Sequence, residues 1–250
     1  MNAALAAIAF GPGLAIGSFL NVVAARLPLR RSVVHPRSAC MSCANELAWY
    51  DNVPLFSYVL LRGKCRSCGA RISPLYPTVE LGTALLVGAC FLRFGLSAQA
   101  VVGALFCVIL VVISSIDLTH RIIPNRIVVP AAAVALVVQT GLQPSPEWAL
   151  ASGGAALFLF VAAVAYPAGM GMGDVKLALL MGAVLGRTVS VAMMAGMFAA
   201  LVPSLFLLAR HGSAARKMGI PFGPFLALGS VIALFAGEPV LHAYWAHFVH

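Results

Sequence analysis

Two Cys-x-x-Cys pairs and two isolated aspartates are the residues of this 250-residue chain whose types and spacing can do chemistry. The pairs are "CMSC" at Cys40–Cys43 and "CRSC" at Cys65–Cys68, with 21 residues between them. Each pair makes a tight knuckle that aims two sulfurs at one point, and four thiolates at this spacing suit a tetrahedral zinc ion. Gly63 and Gly69 flank the second knuckle, where closely turning backbone favours glycine. Two disulfides are the first alternative, disfavoured in a reducing compartment. A redox Cys-x-x-Cys is the second, and no βαβ pattern of the thioredoxin kind lies nearby. A closed four-sulfur site has no open coordination position, so the metal is expected to be structural. Cys90 and Cys107 fall within apolar runs and read as packed thiols.

The aspartates are conspicuous because acids are scarce. The chain has seven acidic residues, three of them Asp. Asp51 lies in a polar segment. Asp117 heads "DLTHRIIPN", and Asp174 ends the glycine run of "GMGMGDVK" at Gly169–Lys176. Both stand at the ends of long apolar stretches, where an ionisable group is costly and is a functional candidate by default. The structural alternatives are a helix cap at Asp174 and an i,i+4 pair between Asp117 and Arg121.

The elements around them are membrane-like. The chain is 62% hydrophobic and 9% charged, against roughly a quarter charged for soluble domains. Apolar runs at Ala3–Ala25, Leu81–Leu96, Ala98–Ile116, Ile127–Leu142, Trp148–Tyr166, Leu177–Gly186, Val189–Ala209 and Phe222–Gly237 give about eight candidate spans. The first run is not a secretory signal, because its basic cluster follows it instead of preceding it. Leu177–Gly186 is short for a span and crosses only if Lys176 and Arg187 snorkel outward. The expected fold is an all-α polytopic membrane protein with a small four-cysteine loop domain. Its parts are a first transmembrane helix at residues 1–25, a cytoplasmic zinc-binding loop at 26–80, and a seven-helix membrane domain at 81–250.

Charge placement sets the orientation. With the N-terminus outside and eight crossings, Ala25–Glu80, Asp117–Arg126, Pro167–Lys176 and Arg210–Ile220 face inward. These segments hold 14 of the 16 Lys and Arg residues, and Arg93 and Arg187 are the exceptions. This is the positive-inside pattern, and omitting the sixth span would place Arg210, Arg216 and Lys217 on the wrong face. The net charge of +9 is therefore mainly a topology signal, and no nucleic-acid partner is expected.

If such a protein cleaves bonds, elimination narrows the chemistry. There is no His-Glu-x-x-His for a zinc protease and no Gly-x-Ser-Gly with a partner histidine for a buried serine nucleophile. What remains is a carboxylate pair that shares a proton and activates water. Glycines before Asp174 then allow a substrate backbone to approach, on a chain bend lining a wet cavity.

Several stretches together resemble the bacterial type IV prepilin peptidase family. They are "GSFLNVVAARLP" at Gly17–Pro28, "CMSC" through "WYDNVPLFSYVLLRGKCRSCGARISPLYPTVE" to Glu80, "DLTHRIIPN" at Asp117–Asn125, and "GMGDVKLAL" at Gly171–Leu179. "PFGPFLALG" at Pro221–Gly229 fits the family's last span. The resemblance covers nearly the whole chain, and the combination is more specific than Gly-x-Gly-Asp, which presenilin-type proteases also carry. It implies an aspartic endopeptidase at the cytoplasmic face of the inner membrane, with lipid around its spans. It removes the basic leader of prepilins or pseudopilins, usually between Gly and Phe. Members with the cysteine loop also methylate the new N-terminus with S-adenosylmethionine. By motif match, Asp117 and Asp174 carry the proteolysis. No glycine-rich nucleotide fingerprint marks the residues that bind S-adenosylmethionine. Glu46 and Glu80 are acids placed to meet the leader or the cofactor, and Glu80 equally suits a helix cap.

Two other classes stay open at this level. A transporter or proton channel would also place aspartates in a wet cavity, without needing a four-cysteine loop and often with inverted repeats. A protein that only assembles pili would carry inert aspartates. His242, His247 and His250 near the C-terminus read as an exposed tail.

Overall fold

The computed structural model describes residues 1–166, 170–212 and 220–248, the side chains of His211 and Phe248 excepted. Gly169 of the glycine run, Arg216 and Lys217 of the last inner segment, and His250 therefore lie outside the described residues. Among those described, nine α-helices carry the chain, and the extended pairing is limited to two isolated bridges. They are α1 (Asn2–Arg26), α2 (Phe56–Leu60), α3 (Leu75–Phe94), α4 (Ala98–His120), α5 (Asn125–Leu142), α6 (Glu147–Ala165), α7 (Met172–Leu185), α8 (Val189–His211) and α9 (Gly223–Phe248).

Among the described residues, seven helical stretches are long and apolar enough to cross a membrane. One of them, Met172–Arg210, is 39 residues long, about twice the length a bilayer core requires. It breaks at Gly186, whose φ of +56° ends α7 before a single 3-10 turn leads into α8. The expectation of about eight apolar helices is met, and the chain is a multi-pass membrane protein.

The chain divides into two compact units, Met1–Ile116 and Asp117–His250, with the boundary inside α4. In the first, α1 packs along α3. Gly13 and Gly17 form a small-xxx-small step on α1 that permits this approach. A Cβ on Gly13 would stand 2.8 Å from the Cα of Ala84, and one on Gly17 would stand 2.7 Å from the Cα of Glu80. Asn21 adds a hydrogen bond to the Tyr76 carbonyl at 3.1 Å.

In the second unit α7 packs on α5 and α6, and α8 packs on α9. Ten of the fourteen residues of α7 are buried. A helix wrapped by protein in this way need not match the hydrocarbon thickness, which accounts for its shortness. Gly182 lies against the backbone of Ala151 and Ser152, and Ser152 donates its hydroxyl to the Leu179 carbonyl at 2.7 Å. Gln139 of α5, fully buried, reaches the Val184 carbonyl at 3.0 Å. Gly196 and Gly229 give α8 and α9 the same close crossing.

Candidate functional site: an aspartate pair and a four-cysteine cluster

Asp117 occupies the last turn of α4 and Asp174 the first turn of α7. Both are buried, at 6% and 8% exposure. Residues that stand 57 positions apart are brought within electrostatic reach of each other in the second unit.

Each carboxylate has one oxygen held by a backbone amide. Gly171 donates its N–H to Asp174 Oδ2 at 3.2 Å, and the Asp174 amide bonds back to the Gly171 backbone carbonyl at 3.1 Å, closing the first turn of α7. Gly223, the first residue of α9, donates its N–H to Asp117 Oδ2 at 3.0 Å. A Cβ at Gly223 would stand 2.7 Å from that oxygen, so the contact requires glycine. Asp174 is not the N-cap that the structural alternative expected: Gly171 holds that position, and Asp174 stands at the third residue of α7 with its carboxylate turned back to the Gly171 amide. The expected Asp117–Arg121 ion pair is not among the ion pairs of the described residues. Arg121 instead gives its backbone N–H to the Asp117 carbonyl at 2.9 Å with φ at +54°, which ends the helix.

The two aspartate motifs are joined at further points. A Cβ on Gly173 would stand 2.8 Å from Cβ of Ile123, so that glycine admits the "DLTHRIIPN" loop against α7. Lys176 Nζ donates to Asn125 Oδ1 at 2.9 Å, where α5 begins. The roles of Gly223, Ile123 and Asn125 were not foreseen from sequence. Their signal was present only as membership in the stretches "PFGPFLALG" and "DLTHRIIPN".

In the first unit Cys40, Cys43, Cys65 and Cys68 converge, their sulfurs all within 4.8 Å of one another. Cys40 and Cys68 Sγ are 3.8 Å apart. Two sulfurs on a tetrahedral zinc with the usual Zn–S length stand about 3.8 Å apart, so the four residues fit that ion. The two knuckles are built alike. Ala44 and Gly69 return their amides to the carbonyls of Cys40 and Cys65, both at 2.9 Å and both at positive φ. The bridges Ala39–Glu46 and Lys64–Arg71 close each turn. Amides of Cys43 and Ser42 directed at the Cys40 sulfur pull its thiol down to about 6, favouring the metal-binding thiolate.

The polar residues beside the cluster are structural. Asp51 takes a forked ion pair from Arg66 at 2.7 Å. Glu80, whose expected contacts were leader, cofactor or helix cap, is buried in α3 and accepts the Leu55 amide at 2.8 Å. That bond holds Leu55 at φ +58° just before α2. Glu46 is exposed and closes the first knuckle through its backbone. Cys90 and Cys107 are fully buried with sulfurs 4.0 Å apart, as packed thiols.

Residues 12–94 match the family described as Bacterial Peptidase A24 N-terminal domain, and residues 104–209 match the Type IV leader peptidase family. The prepilin leader peptidase/N-methyltransferase of Bacillus subtilis is 36% identical, over 93% of this chain and 94% of its own. Its namesake in Pseudomonas aeruginosa is 35% identical, over 93% and 90%. The one in Myxococcus xanthus is 41% identical, over 79% of this chain and 62% of its own. No solved structure matches the chain. Two matched segments covering most of the sequence, together with relatives aligned nearly end to end, establish that this chain belongs to the prepilin leader peptidase/N-methyltransferase family.

Proposed function

We propose that this protein is an aspartic endopeptidase that removes the basic leader from type IV prepilins or pseudopilins at a Gly–Phe bond, with Asp117 and Asp174 as its catalytic pair. The observation that carries this reading is the meeting of two separate motifs, each with a buried aspartate that has one oxygen tied to a backbone amide. Tying one oxygen leaves the other for water or substrate. One carboxylate acts as base toward water and the other donates a proton to the scissile carbonyl. Two such groups titrate as a unit, since neighbouring carboxylates do not ionise independently. Family membership supports the substrate class, and the burial of Asp117 and Asp174 within a helical unit supports cleavage at the membrane.

In this reading the four cysteines hold one structural zinc in the cytoplasmic loop of residues 26–80, and the membrane domain of 81–250 carries the protease site. The relatives' printed names support a second, N-methyltransferase activity, and the resemblance implies S-adenosylmethionine as donor and the new N-terminus as acceptor. The protein sits in the inner membrane with the loop and both aspartates at the cytoplasmic face, supported by the inward bias of its Lys and Arg residues. The test is direct. Purified protein in lipid is incubated with a prepilin and with labelled S-adenosylmethionine. Leader release followed by label on the new N-terminus is expected. Intact prepilin after prolonged incubation with zinc-loaded protein would rule the reading out.

A further inference from the structure

The chain segment that joins α1 to α3 carries large apolar side chains left uncovered among the described residues, apart from an edge-on contact between the Trp49 and Tyr50 rings. Trp49 is 83% exposed, Phe56 65%, Val59 73% and Leu60 64%. Phe56, Val59 and Leu60 stand at i, i+3 and i+4 of α2 and so share one side of it. The inward side carries the buried Ser57, whose hydroxyl donates to the Tyr50 carbonyl at 2.7 Å, fixing α2 against the short turn Trp49–Asn52. Phe56, Val59 and Leu60 are thus presented outward from α2, and Trp49 is presented outward from the turn locked to it. Exposed apolar clusters of this kind mark contact with a partner or a membrane.

We propose that Trp49, Phe56, Val59 and Leu60 form a membrane-inserting face that seats the cysteine loop in the headgroup layer of an anionic bilayer. Three observations select lipid over a protein partner. The loop is tethered at both ends to candidate spans, leaving α1 at Arg26 and entering α3 at Leu75, so it stays at the bilayer surface. Residues 26–80 carry eight Arg and Lys against three carboxylates, and Arg62, Lys64 and Arg71 stand exposed after α2. Basic side chains flanking an apolar face are drawn to anionic headgroups. The composition of the face, with Trp49 and the half-exposed Tyr50 beside aliphatic groups, is that of a membrane interface. Seating the loop this way would hold the metal site at a fixed depth, whatever bond the protein cleaves.

The experiment uses the full chain in vesicles of phosphatidylcholine, with and without phosphatidylglycerol. Subtracting the emission of a Trp49→Phe variant isolates Trp49 from Trp148 and Trp245. Brominated lipid, with bromines at the headgroup end of the acyl chains, is expected to quench that emission about twofold, as for an indole ~5–10 Å into the interface. Aqueous iodide is expected to quench it weakly, and phosphatidylglycerol to reduce iodide access further. A Phe56→Glu/Val59→Glu variant that keeps its metal is expected to regain iodide access. Free iodide access in the unaltered face would overturn the proposal. Protection from iodide without quenching by brominated lipid would also overturn it, since that pattern means a protein covers the face.

Discussion

Gly223 and Gly171 each commit a backbone amide to one aspartate, and the two contacts differ in what they tolerate. At Gly223 a Cβ would press on the Asp117 carboxylate at 2.7 Å. At Gly171 the nearest atom, Asp174 Oδ2, would be 3.7 Å away, an ordinary contact, and the backbone is extended. Gly223→Ala should therefore displace Asp117 and lower cleavage about 100-fold, the scale of a misplaced catalytic group, while metal content is unchanged. Gly171→Ala should cleave nearly normally. Steady-state assays on both separate the pair, and a Gly223→Ala protein that cleaved as fast as Gly171→Ala would mean that the close approach of Gly223 to Asp117 does not matter. Both aspartates were legible in the sequence, because carboxylates at the ends of apolar runs in an acid-poor chain stand out. The amides that orient them were not, because a backbone donor leaves no mark on residue type and Gly223 is 106 positions from the aspartate it serves.

Among the elements, the two cysteine knuckles share a fold but not a residue at the left-handed position, which is Gly69 in one and Ala44 in the other. An L-residue held there costs roughly 1–2 kcal/mol, partly offset by the greater freedom glycine loses on folding, roughly 0.5–1 kcal/mol. Ala44→Gly should stabilise the loop by a net amount of about 0.5 kcal/mol, and Gly69→Ala should weaken it comparably. The concentration of chelator needed to strip zinc should rise for the first variant and fall for the second. Replacing Cys40, Cys43, Cys65 or Cys68 by Ser should lose the metal outright; zinc retained at full stoichiometry in such a variant would contradict the four-sulfur site. Helix crossings follow the same steric logic. Gly182→Val forces a side chain into the backbone of Ala151 and Ser152 and should cost about 1–3 kcal/mol, read as a lower melting midpoint in detergent. The knuckles were readable from spacing alone. The break at Gly186 was anticipated only as a short run, and the reason α7 can be short, its burial among other helices, is a tertiary fact that hydropathy does not record.

For the whole molecule, composition predicts a polytopic helical protein, and the structure provides the helices. The orientation proposed here places the turn between α5 and α6 outside, so Gln143→Cys in intact cells should react with a membrane-impermeant maleimide. Labelling only after lysis would reverse the topology. The central claim is that Asp117 and Asp174 act together as one catalytic pair. The most direct measurement is the rate of leader release by Asp117→Asn, Asp174→Asn and the double variant, beside Asp51→Asn as a control outside the pair. Each single change should lower the rate by about 10,000-fold or more and the double change little further, because groups that act as a unit are lost together. Asp51→Asn, whose ion pair with Arg66 is structural, should cleave far faster than either. An Asp174→Asn protein that processed prepilin at the normal rate would contradict the account.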